Sequence, residues 1–560
     1  MARRPDEEKL ITSLPRIGLL LFPFVHHFNS LTEANLMQVK RVDATSSVKS
    51  FTYQKNKSQA AGTFSIVLTS DQNWTQIVRP GDWLLLYESA FGIGIRGRGT
   101  GKDSTKGLRC LGNIDRVSRQ KTITQDGKKM FTYRIDGSDF GKVFEKIKFY
   151  YNPFQPKAVS NIFATLKGGI KITGSPASFV KSYVNLYLGD GTIKDEALKG
   201  DQILKKLEEL EQLKIPSEIM EIFGNKTNSG RLFDILEMDI PEGSDNLTPT
   251  GYSWAIPNDR ALNGSLWDIL KSVSNNTMNE LFLSMKYYPD KQMVKPTLTF
   301  RKQPWSKKNF HTLSRIFIQE NMIITDDMGF DDHERLNWLN LEPKNSLIAV
   351  YPQIMAASQA KTTDKQTKQE IPLFPWMNKL SLKRYGFQER TFNSEFVNIT
   401  NIDIKEGVGV TDLQVAEKWM RELIEWWENY ERYESGTILV KGFSEQNFYE
   451  SEKNGSLRLN NKLTRKKAAK IVSSDQYNIG ENIYLNSRDR LYQLEGFSLE
   501  WNAPGESHVT FIVTRGVHWK KSMSEYKFVD ETLKDKKGKV TTQGDRETQV
   551  ELAVSVIKRK

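Results

Sequence analysis

The sequence of 560 residues contains a single cysteine, Cys110, and only six histidines. One cysteine cannot close a disulfide within the chain, so we expect the protein to mature in a reducing cytosol with Cys110 as a buried, unreactive thiol. No histidine lies in an H-E-x-x-H motif or near a pair of cysteines, so the sequence supports no zinc site. These scarcities exclude an internal disulfide scaffold and predict that the chain holds no metal.

The sequence also lacks a long hydrophobic run. The strongest candidate, residues 17–28, is too short to span a bilayer and contains Pro23. Three acidic residues precede this segment, and no small-residue cleavage site follows it. We therefore expect neither a signal peptide nor a membrane anchor.

Motifs for catalysis and cofactor binding are incomplete. Residues 92–97 match G-x-G-x-x-G, but the glycine and charged residues that follow do not start the helix that a dinucleotide requires. Residues 97–102 are one residue short of a phosphate loop, and the carboxylate of Asp103 would repel a phosphate. The acidic turn 331–334 lacks the glycine of a calcium loop. We predict no catalytic residues and no cofactor, and hence that the chain is not an enzyme.

Basic charge is present but mostly scattered. The formal net charge is +12, because 68 acidic residues offset 80 basic ones, and this pattern is typical of a solvated surface rather than a nucleic-acid site. One loop concentrates basic residues around a single acid, and it is interpreted either as a solvated hairpin tip or as an arm that contacts a neighbouring subunit or an acidic lumen. Its basic residues are Arg96, Arg98, Lys102, Lys106 and Arg109.

Hydrophobic periodicity predicts a β domain in residues 45–155. Apolar and polar residues alternate in 63–69 and 131–135, and Asp126-Gly127 is a hairpin signal between strand candidates. Apolar residues spaced for one helix face follow at 140–147. We expect a compact antiparallel domain closed by this helix.

The rest of the chain alternates between helical and strand patterns. A helical segment, 156–240, precedes a middle mixed α/β domain, 241–320, which has a helix at 265–274 and a hairpin around Pro289-Asp290. A second β domain follows at 321–517. Its predicted additions are an inserted loop at 352–372, a long helix at 411–433 and an insertion at 443–467. The ends are an N-terminal extension, 1–44, and a charged C-terminal tail, 518–560.

The two β domains share a weak internal repeat. Each contains a glycine-polar turn, an apolar strand, a second strand, a hairpin and a third strand, first in residues 79–135 and again in 478–514. A common plan favours a duplicated barrel, although two antiparallel meanders can also share it by chance. The predicted fold class is α+β, mainly β, with two antiparallel β-barrel domains and intervening mixed α/β and helical segments.

Short segments with a common order along the chain carry a resemblance to a known family. They cover roughly residues 45–517 and are 112–118, 133–142, 265–270, 279–282, 296–298, 385–386, 436–438, 479–480, 492–494 and 513–516. Together they resemble the baseplate hub proteins of contractile-tailed bacteriophages, the late control protein D-like family, which is related to the N-terminal part of type VI secretion spike proteins. The resemblance does not extend to the first forty residues, the 357–370 loop, the 443–467 insertion or the tail.

The resemblance implies tube-type barrels and a structural role in the virion. Two such barrels in each chain of a homotrimer would make a pseudo-sixfold ring that adapts a hexameric tail tube to a trimeric central spike. The implied partners are further copies of the chain, the tail tube protein and the central spike protein, with the tape measure and baseplate wedge proteins as additional ones. The implied location is the tail baseplate, after synthesis in the host bacterial cytoplasm, with no specific nucleic acid bound.

Other classes of function stay open. A cell-wall-degrading, tail-associated enzyme is one, because β-rich folds host such activities. A nucleic-acid-binding β-barrel is another, and it would need basic and aromatic residues interleaved on one barrel face. A secretion-system spike protein of related fold is the nearest alternative within the structural class.

Overall fold

The structure is a computed structural model, and several of the expected features lie outside the residues that it describes. These features are the helix at 411–433, the inserted loop at 352–372 and most of the helical segment 156–240. The described residues are 16–24, 41–89, 104–123, 129–149, 180–181, 184, 215–225, 230–240, 264–274, 279–288, 291, 293–304, 313, 315–318, 323–330, 337–343, 376–377, 382–383, 385–394, 434–441, 449–451, 457–459, 478–485, 488, 490–503, 505–518, 533–534 and 540–541.

Most described residues are in β-strands, so the mainly-β prediction is confirmed. The strands before residue 250 are β1 (Arg16–Phe22), β2 (Val42–Asp43), β3 (Val48–Asn56), β4 (Thr63–Leu68), β5 (Trp83–Ser89), β6 (Leu108–Ile123), β7 (Lys129–Asp139), β8 (Lys148–Phe149) and β9 (Glu237–Asp239). The next are β10 (Gly264–Ser265), β11 (Asn279–Tyr288), β12 (Met293–Lys302), β13 (Arg315–Ile318), β14 (Ile323–Phe330), β15 (Trp338–Pro343), β16 (Trp376–Met377) and β17 (Glu389–Ser394).

The strands after residue 430 are β18 (Glu434–Lys441), β19 (Tyr449–Ser451), β20 (Leu457–Leu459), β21 (Asn482–Leu485), β22 (Arg490–Asn502), β23 (Glu506–His518), β24 (Leu533–Lys534) and β25 (Val540–Thr541). The helices are short, and they are α1 (Trp74–Ile77), α2 (Lys142–Lys146), α3 (Ser217–Ile222) and α4 (Leu266–Val273). Two 3-10 turns, Thr45–Ser47 and Leu232–Asp234, complete the described elements.

One sheet of thirteen strands dominates the structure. Its order is β14-β18-β23-β22-β3-β4-β7-β6-β5-β1-β2, with β21 paired to β22 and β13 paired to β21. The sheet is curled into a half-barrel. The predicted pair of distinct barrel domains stays a prediction, because β3 from the first β region pairs directly with β22 from the second. Strand β1 comes from the predicted N-terminal extension, yet it lies within this sheet beside β5.

The sheet contains two modules with the same strand order. The first module consists of β3 to β7, arranged β5-β6-β7-β4-β3. The second consists of β14, β18, β21, β22 and β23, arranged β21-β22-β23-β18-β14. The strands also follow the same sequence along the chain in both modules, so the weak internal repeat corresponds to a repeated topology.

The irregularities of the strands repeat as well. The ladder between β6 and β7 is interrupted at Asp115, and the ladder between β22 and β23 is interrupted at Glu495. A second interruption falls at Lys49 between β3 and β4, and its counterpart falls at Ile324 between β14 and β18. Because a bulge changes the twist and direction of a strand, two matched bulges indicate matched curvature in the two modules.

At the first pair of bulges, the two modules have side-chain hydrogen bonds between the same kinds of group. The Ser138 hydroxyl donates to Asp115 at 2.7 Å in the first module. The Thr514 hydroxyl donates to Glu495 at 3.1 Å in the second. An acid on the bulge therefore accepts from a hydroxyl on the neighbouring strand in both copies.

The turn before each module's apolar strand is also repeated. Gly81 and Gly480 have φ angles of +97° and +82°, a backbone conformation that residues other than glycine rarely adopt. The Gly81 N–H donates to the Ile114 carbonyl at 2.8 Å, and the Gly480 N–H donates to the Leu494 carbonyl at the same distance. The left-handed glycine thus docks each turn on the middle of the neighbouring long strand.

Strands β1 and β5 explain why the sequence has continuous apolar runs. Leu84 and Leu86 join one hydrophobic cluster, which lies under both modules. Leu85 and Tyr87, on the opposite side of the strand, join a second cluster with the middle domain. A strand that is buried on both faces is expected to be apolar at every position.

The predicted middle domain is partly described, and its helix and hairpin are confirmed. Helix α4 begins after Ser265, whose hydroxyl accepts the Asp268 N–H while the Asp268 carboxylate accepts the Ser265 N–H. Strands β11 and β12 form an antiparallel hairpin, and β9 pairs in parallel with β12. Helix α4 packs against α2, which covers Lys142–Lys146 and so is shorter than the helix face predicted at 140–147.

The two turn glycines allow a matched prediction. A Cβ at Gly81 would meet nothing within 4 Å, so Gly81→Ala carries only the cost of a left-handed backbone, about 1–2 kcal/mol. A Cβ at Gly480 would lie 2.6 Å from the Phe282 ring, which adds overpacking of about 1–3 kcal/mol. We expect the urea unfolding midpoint to fall further for Gly480→Ala than for Gly81→Ala. Equal losses would contradict the tight contact between this turn and the middle domain.

Candidate assembly interface

The junction between the two modules is a regular antiparallel ladder. Seven residue pairs join β3 to β22, from Asn56 with Gly496 to Ser50 with Asn502. Backbone hydrogen bonds continue beyond both ends of this ladder. The junction therefore has the same hydrogen-bonded construction as the interior of either module, and the sheet passes from one module to the other without an edge.

Aromatic side chains fill the core side of the junction. The rings of Phe51 and Trp501 are stacked, with centroids 5.9 Å apart and an interplanar angle of 11°. Tyr53 and Phe497 meet edge to face at 5.6 Å. All four residues are buried, and such pairs stabilise a sheet beyond the area that they bury.

A buried ion pair lies next to these rings. The Lys55 ammonium is 2.9 Å from the Asp139 carboxylate, and both side chains are almost completely inaccessible. Asp139 also accepts the Tyr53 hydroxyl at 3.1 Å, and Lys55 donates to the Ala60 carbonyl at 2.5 Å. These bonds tie β3 to β7 across the intervening β4, which makes the first module rigid beside the junction.

A second buried cluster connects the junction to the middle domain. Its centre is Glu280 on β11, whose side chain is fully buried. Its carboxylate accepts hydrogen bonds from Lys57 at 2.5 Å, Arg301 at 2.7 Å and Gln493 at 2.8 Å. Lys57 follows β3, Gln493 lies in β22 and Arg301 lies in β12. One carboxylate therefore joins both modules to the middle hairpin.

The charges around Glu280 decide its protonation. Burial alone would raise the pKa of this carboxyl, but Lys57, Arg301 and Arg515 outweigh burial and hold the pKa at about 2, below its ordinary value of 4.5. Glu280 is therefore ionised at neutral pH. A buried carboxylate with two hydrogen-bonded cations is costly to break by removing one partner.

The basic loop predicted as a contact arm is only partly described. Arg96, Arg98 and Lys102 lie outside the described residues, so their role stays a prediction. Lys106 is half-buried. Arg109 is 2% exposed, and its guanidinium lies 2.9 Å from Glu88, so its side chain points into the protein.

The Glu88 side chain also contacts the second module. It accepts the Ser507 hydroxyl at 3.2 Å in a buried site, next to its ion pair with Arg109. The end of β5, which leads into the basic loop, is thereby anchored to the start of β23. This contact is a further polar connection between the modules, in addition to the Glu280 cluster.

Sequence patterns gave little sign of these connecting residues. Glu280 follows Asn279 at the start of a predicted strand, and an acid at that position is usually solvated. Alternation placed Trp501 on an apolar strand face, which was correct, but it did not indicate the strand that lies opposite. The available signal for Glu280 was a charged residue inside an otherwise apolar strand pattern.

In the part of the chain that is described, each of the two modules has one open strand edge. Residues 116–123 of β6 pair with β7 on one side and with no described strand on the other. Strand β14 likewise pairs only with β18 among the described strands. Both edges expose backbone hydrogen-bonding groups, which favour pairing with a further strand.

Two other kinds of site can be considered for the described residues. None of their helices has the length and apolar character that a membrane span needs. Among the same residues, no group of three or more His, Cys, Asp or Glu side chains is arranged to hold a metal ion.

Comparison with known proteins finds similarity at the level of structure. No family model and no curated protein matches the chain. The structure is similar to the tail protein from Neisseria meningitidis MC58, with a TM-score of 0.41 and 9% identity over 90% of this chain and 98% of that one. It is similar to the 43 kDa tail protein of prophage MuSo2 from Shewanella oneidensis, with a TM-score of 0.40, 9% identity and the same two coverages.

A type VI secretion protein is also among the similar structures. The E. coli c3393 protein, a component of that system, has a TM-score of 0.34 and 6% identity over 84% of this chain and 73% of that one. The first two of these solved structures are tail proteins, and the third is a component of a type VI secretion system.

The Glu280 cluster generates a prediction for stability. Replacing Glu280 with Gln removes the carboxylate that Arg301 pairs with and leaves Lys57 only its longer contact with Glu495, at 3.5 Å. We therefore expect the free energy of unfolding to fall by about 3 kcal/mol. Thermal unfolding of the full chain, followed by tryptophan fluorescence, measures this loss. The control is Glu237→Gln, which removes a partly exposed partner of Lys291 and should cost less than about 1 kcal/mol.

The same cluster predicts sensitivity to acid. Because the pKa of Glu280 is lower in the folded protein, its contribution is fully present above about pH 4.5 and is lost as the pH falls towards 2. A shift from 4.5 to about 2 corresponds to about 3 kcal/mol. The gap in stability between wild type and Glu280→Gln should therefore narrow across this window, and a constant gap would contradict the assignment.

Proposed function

We propose that this chain is a structural subunit of a phage-type tail, and specifically a trimeric baseplate hub that adapts the hexameric tail tube to the trimeric central spike. The role follows from the sequence resemblance to hub proteins. The geometric support is the repeated module within a single sheet. The proposed location is the tail baseplate of the virion.

The observation that carries the proposal is the continuity of the sheet through the β3–β22 junction. Two modules with the same strand order are joined edge to edge. In the proposed ring, the second module takes the place that a neighbouring subunit would hold. Repeating this relation three times places six modules in a ring that has only threefold chemical symmetry. Such a ring can match a sixfold partner on one side and a threefold partner on the other.

The face of the sheet opposite the core suits the lining of a channel. It carries short polar side chains that are half-buried or exposed, including Thr52, Gln54, Ser65, Thr437, Ser498 and Thr510. Small hydroxyl and amide groups bind a passing chain weakly and leave the bore open. In the proposed ring this face lines the channel, while the buried face packs against β1, β5 and β21.

The proposed role is mechanical and needs no catalysis. The ring holds its shape through buried connections such as the Phe51–Trp501 stack and the Glu280 cluster. It presents different surfaces to the tube and to the spike. The tape measure and wedge proteins are further proposed partners, as the resemblance implies.

The oligomeric state is the direct test. We expect light scattering after size exclusion to give three times the 64.4 kDa of one chain, alone or with the spike protein. Electron microscopy of that species should show a ring with six similar lobes. A monomer that stays monomeric at high concentration and with its spike partner would contradict the proposal.

The rival functions predict other outcomes in the same preparation. A cell-wall-degrading enzyme would clear peptidoglycan in a zymogram, whereas a hub gives no clearing. A nucleic-acid-binding barrel would retain DNA tightly on a filter and release it as salt is raised. Either positive result would favour the rival over the hub.

A further inference from the structure

We infer that the surface formed by residues 116–123 of β6 binds strand β14 of a second copy of this chain, in the register of the β3–β22 junction. This inference rests on the proposed trimeric ring and specifies its contacts. The junction within one chain supplies the template. The two open edges are the counterparts of the strands that meet there.

The correspondence follows from the repeated topology. Strand β22 pairs with β21 through its first half and with β3 through its second half. Strand β6 pairs with β5 through its first half, and its second half is the open edge. Strand β14 holds the position in the second module that β3 holds in the first. Among the described strands, the second half of β6 has no partner in the place where β22 has β3, and a strand of the kind that β14 presents fits that place.

The matched bulges fix the register. Asp115 corresponds to Glu495 on the long strands, and Ile324 corresponds to Lys49 on the edge strands. Counting from these positions, the pairs at the seam between chains are Arg119 with Met328, Gln120 with Asp327, Lys121 with Asp326, and Ile123 with Ile324.

The charges of the two edges are complementary. The β6 edge carries Arg116, Arg119 and Lys121 and no acid, while β14 carries Asp326 and Asp327 and no base. Every one of these five side chains is exposed. Opposite charges directly across a sheet stabilise it, and like charges destabilise it. The pattern favours β6 against β14 and disfavours either edge pairing with itself.

Two exposed isoleucines fall on the same seam. Ile123 is 63% exposed and Ile324 is 47% exposed, and they are among the few large apolar side chains exposed in the described part of the chain. Their counterparts, Ala503 and Lys49, share a backbone hydrogen bond of 2.9 Å. Docking in the inferred register buries the two isoleucines against each other, which explains their exposure in a single chain.

The seam differs in chemistry from the junction inside the chain. Lys121 opposite Asp326 takes the place of the stacked Trp501 and Phe51. Asp326 also pairs with Arg488 at 2.8 Å, so the seam adds a cation to an existing ion pair. An edge rich in cations does not enter the aromatic junction, because it would bury charge against Phe51. The two chemistries keep the modules of one chain together and let copies join head to tail.

Engineered disulfides test the register. The Ala503 to Lys49 bond makes that pair a hydrogen-bonded one, so Glu500 with Thr52 is a non-hydrogen-bonded pair, and so is its counterpart Gln120 with Asp327. Residues in such pairs approach closely, about 4.5 Å between Cα atoms, which suits a disulfide. The chain's own Cys110 is buried, and burial raises the pKa of its thiol well above the usual range, so it reacts little.

We expect Gln120→Cys/Asp327→Cys to give two-chain and three-chain bands on a non-reducing gel after mild oxidation. The register control is Gln120→Cys/Thr325→Cys, a slip of two residues, which should cross-link at most weakly. The topology control is Glu500→Cys/Thr52→Cys, which closes a disulfide within one chain and gives a single-chain band. Equal cross-linking in the register control would overturn the inferred pairing.

Light scattering of the same samples distinguishes a failure of the inferred β6–β14 pairing from a failure of the proposed trimeric hub. A trimer that does not cross-link through Gln120→Cys/Asp327→Cys overturns the seam and leaves the trimeric hub standing. Cross-linked chains that grow beyond three support the seam and overturn the closed ring. A monomer without cross-links overturns both.

A charge reversal tests the role of the ions at the seam. Lys121→Glu places a second carboxylate opposite Asp326, and the two negative charges repel each other. We expect the protein concentration at which half of the chains are assembled to rise by about tenfold. The control is Lys383→Glu, the same charge change on an exposed residue outside both edges, which should leave assembly unchanged. If Lys121→Glu and wild type assembled at the same concentration, the claim that opposite charges stabilise the seam would be contradicted.

Discussion

Backbone hydrogen bonds between β3 and β22 join strands from opposite ends of the chain, and the rest of the architecture depends on that pairing. Without it each module would have its own open edges and its own orientation. With it the curl of one module continues into the next. The stacked Phe51 and Trp501 exclude water from one side of this ladder, so the junction behaves as the interior of a sheet.

The middle domain has a structural part in maintaining that junction. The buried Glu280 carboxylate accepts hydrogen bonds from Lys57, at the end of β3, and from Arg301 on β12. It also accepts one from the side-chain amide of Gln493 on β22. A buried charge cluster is a poor source of net stability, because its desolvation is costly. Its geometric demands are strict, however, and it therefore favours one relative position of the three parts.

Repetition with different side chains is the theme that connects fold and proposed function. The bulges, the left-handed glycines and the acid–hydroxyl bonds recur in both modules, although the residues that build them differ. The edges, by contrast, have diverged from aromatic to charged. The two modules therefore share a backbone shape but have different side chains at their edges. A ring needs this combination if its contacts within a chain are permanent and its contacts between chains form during assembly.

The mainly-β class, the helix α4, the β11–β12 hairpin and the shared plan of the two β regions were predictable from periodicity, capping residues and turn signals, because these are local properties of the chain. Buried aromatic faces, such as that of Trp501, were predictable for the same reason. The pairing of β3 with β22, the burial of Arg109 and the cluster around Glu280 were not, since each depends on which distant segment lies opposite. The alternation of apolar and polar residues predicts which face of a strand is buried, but it does not predict which strand lies beside it. Backbone hydrogen-bonding groups are the same in every sequence, so the neighbouring strand is decided only in the folded sheet.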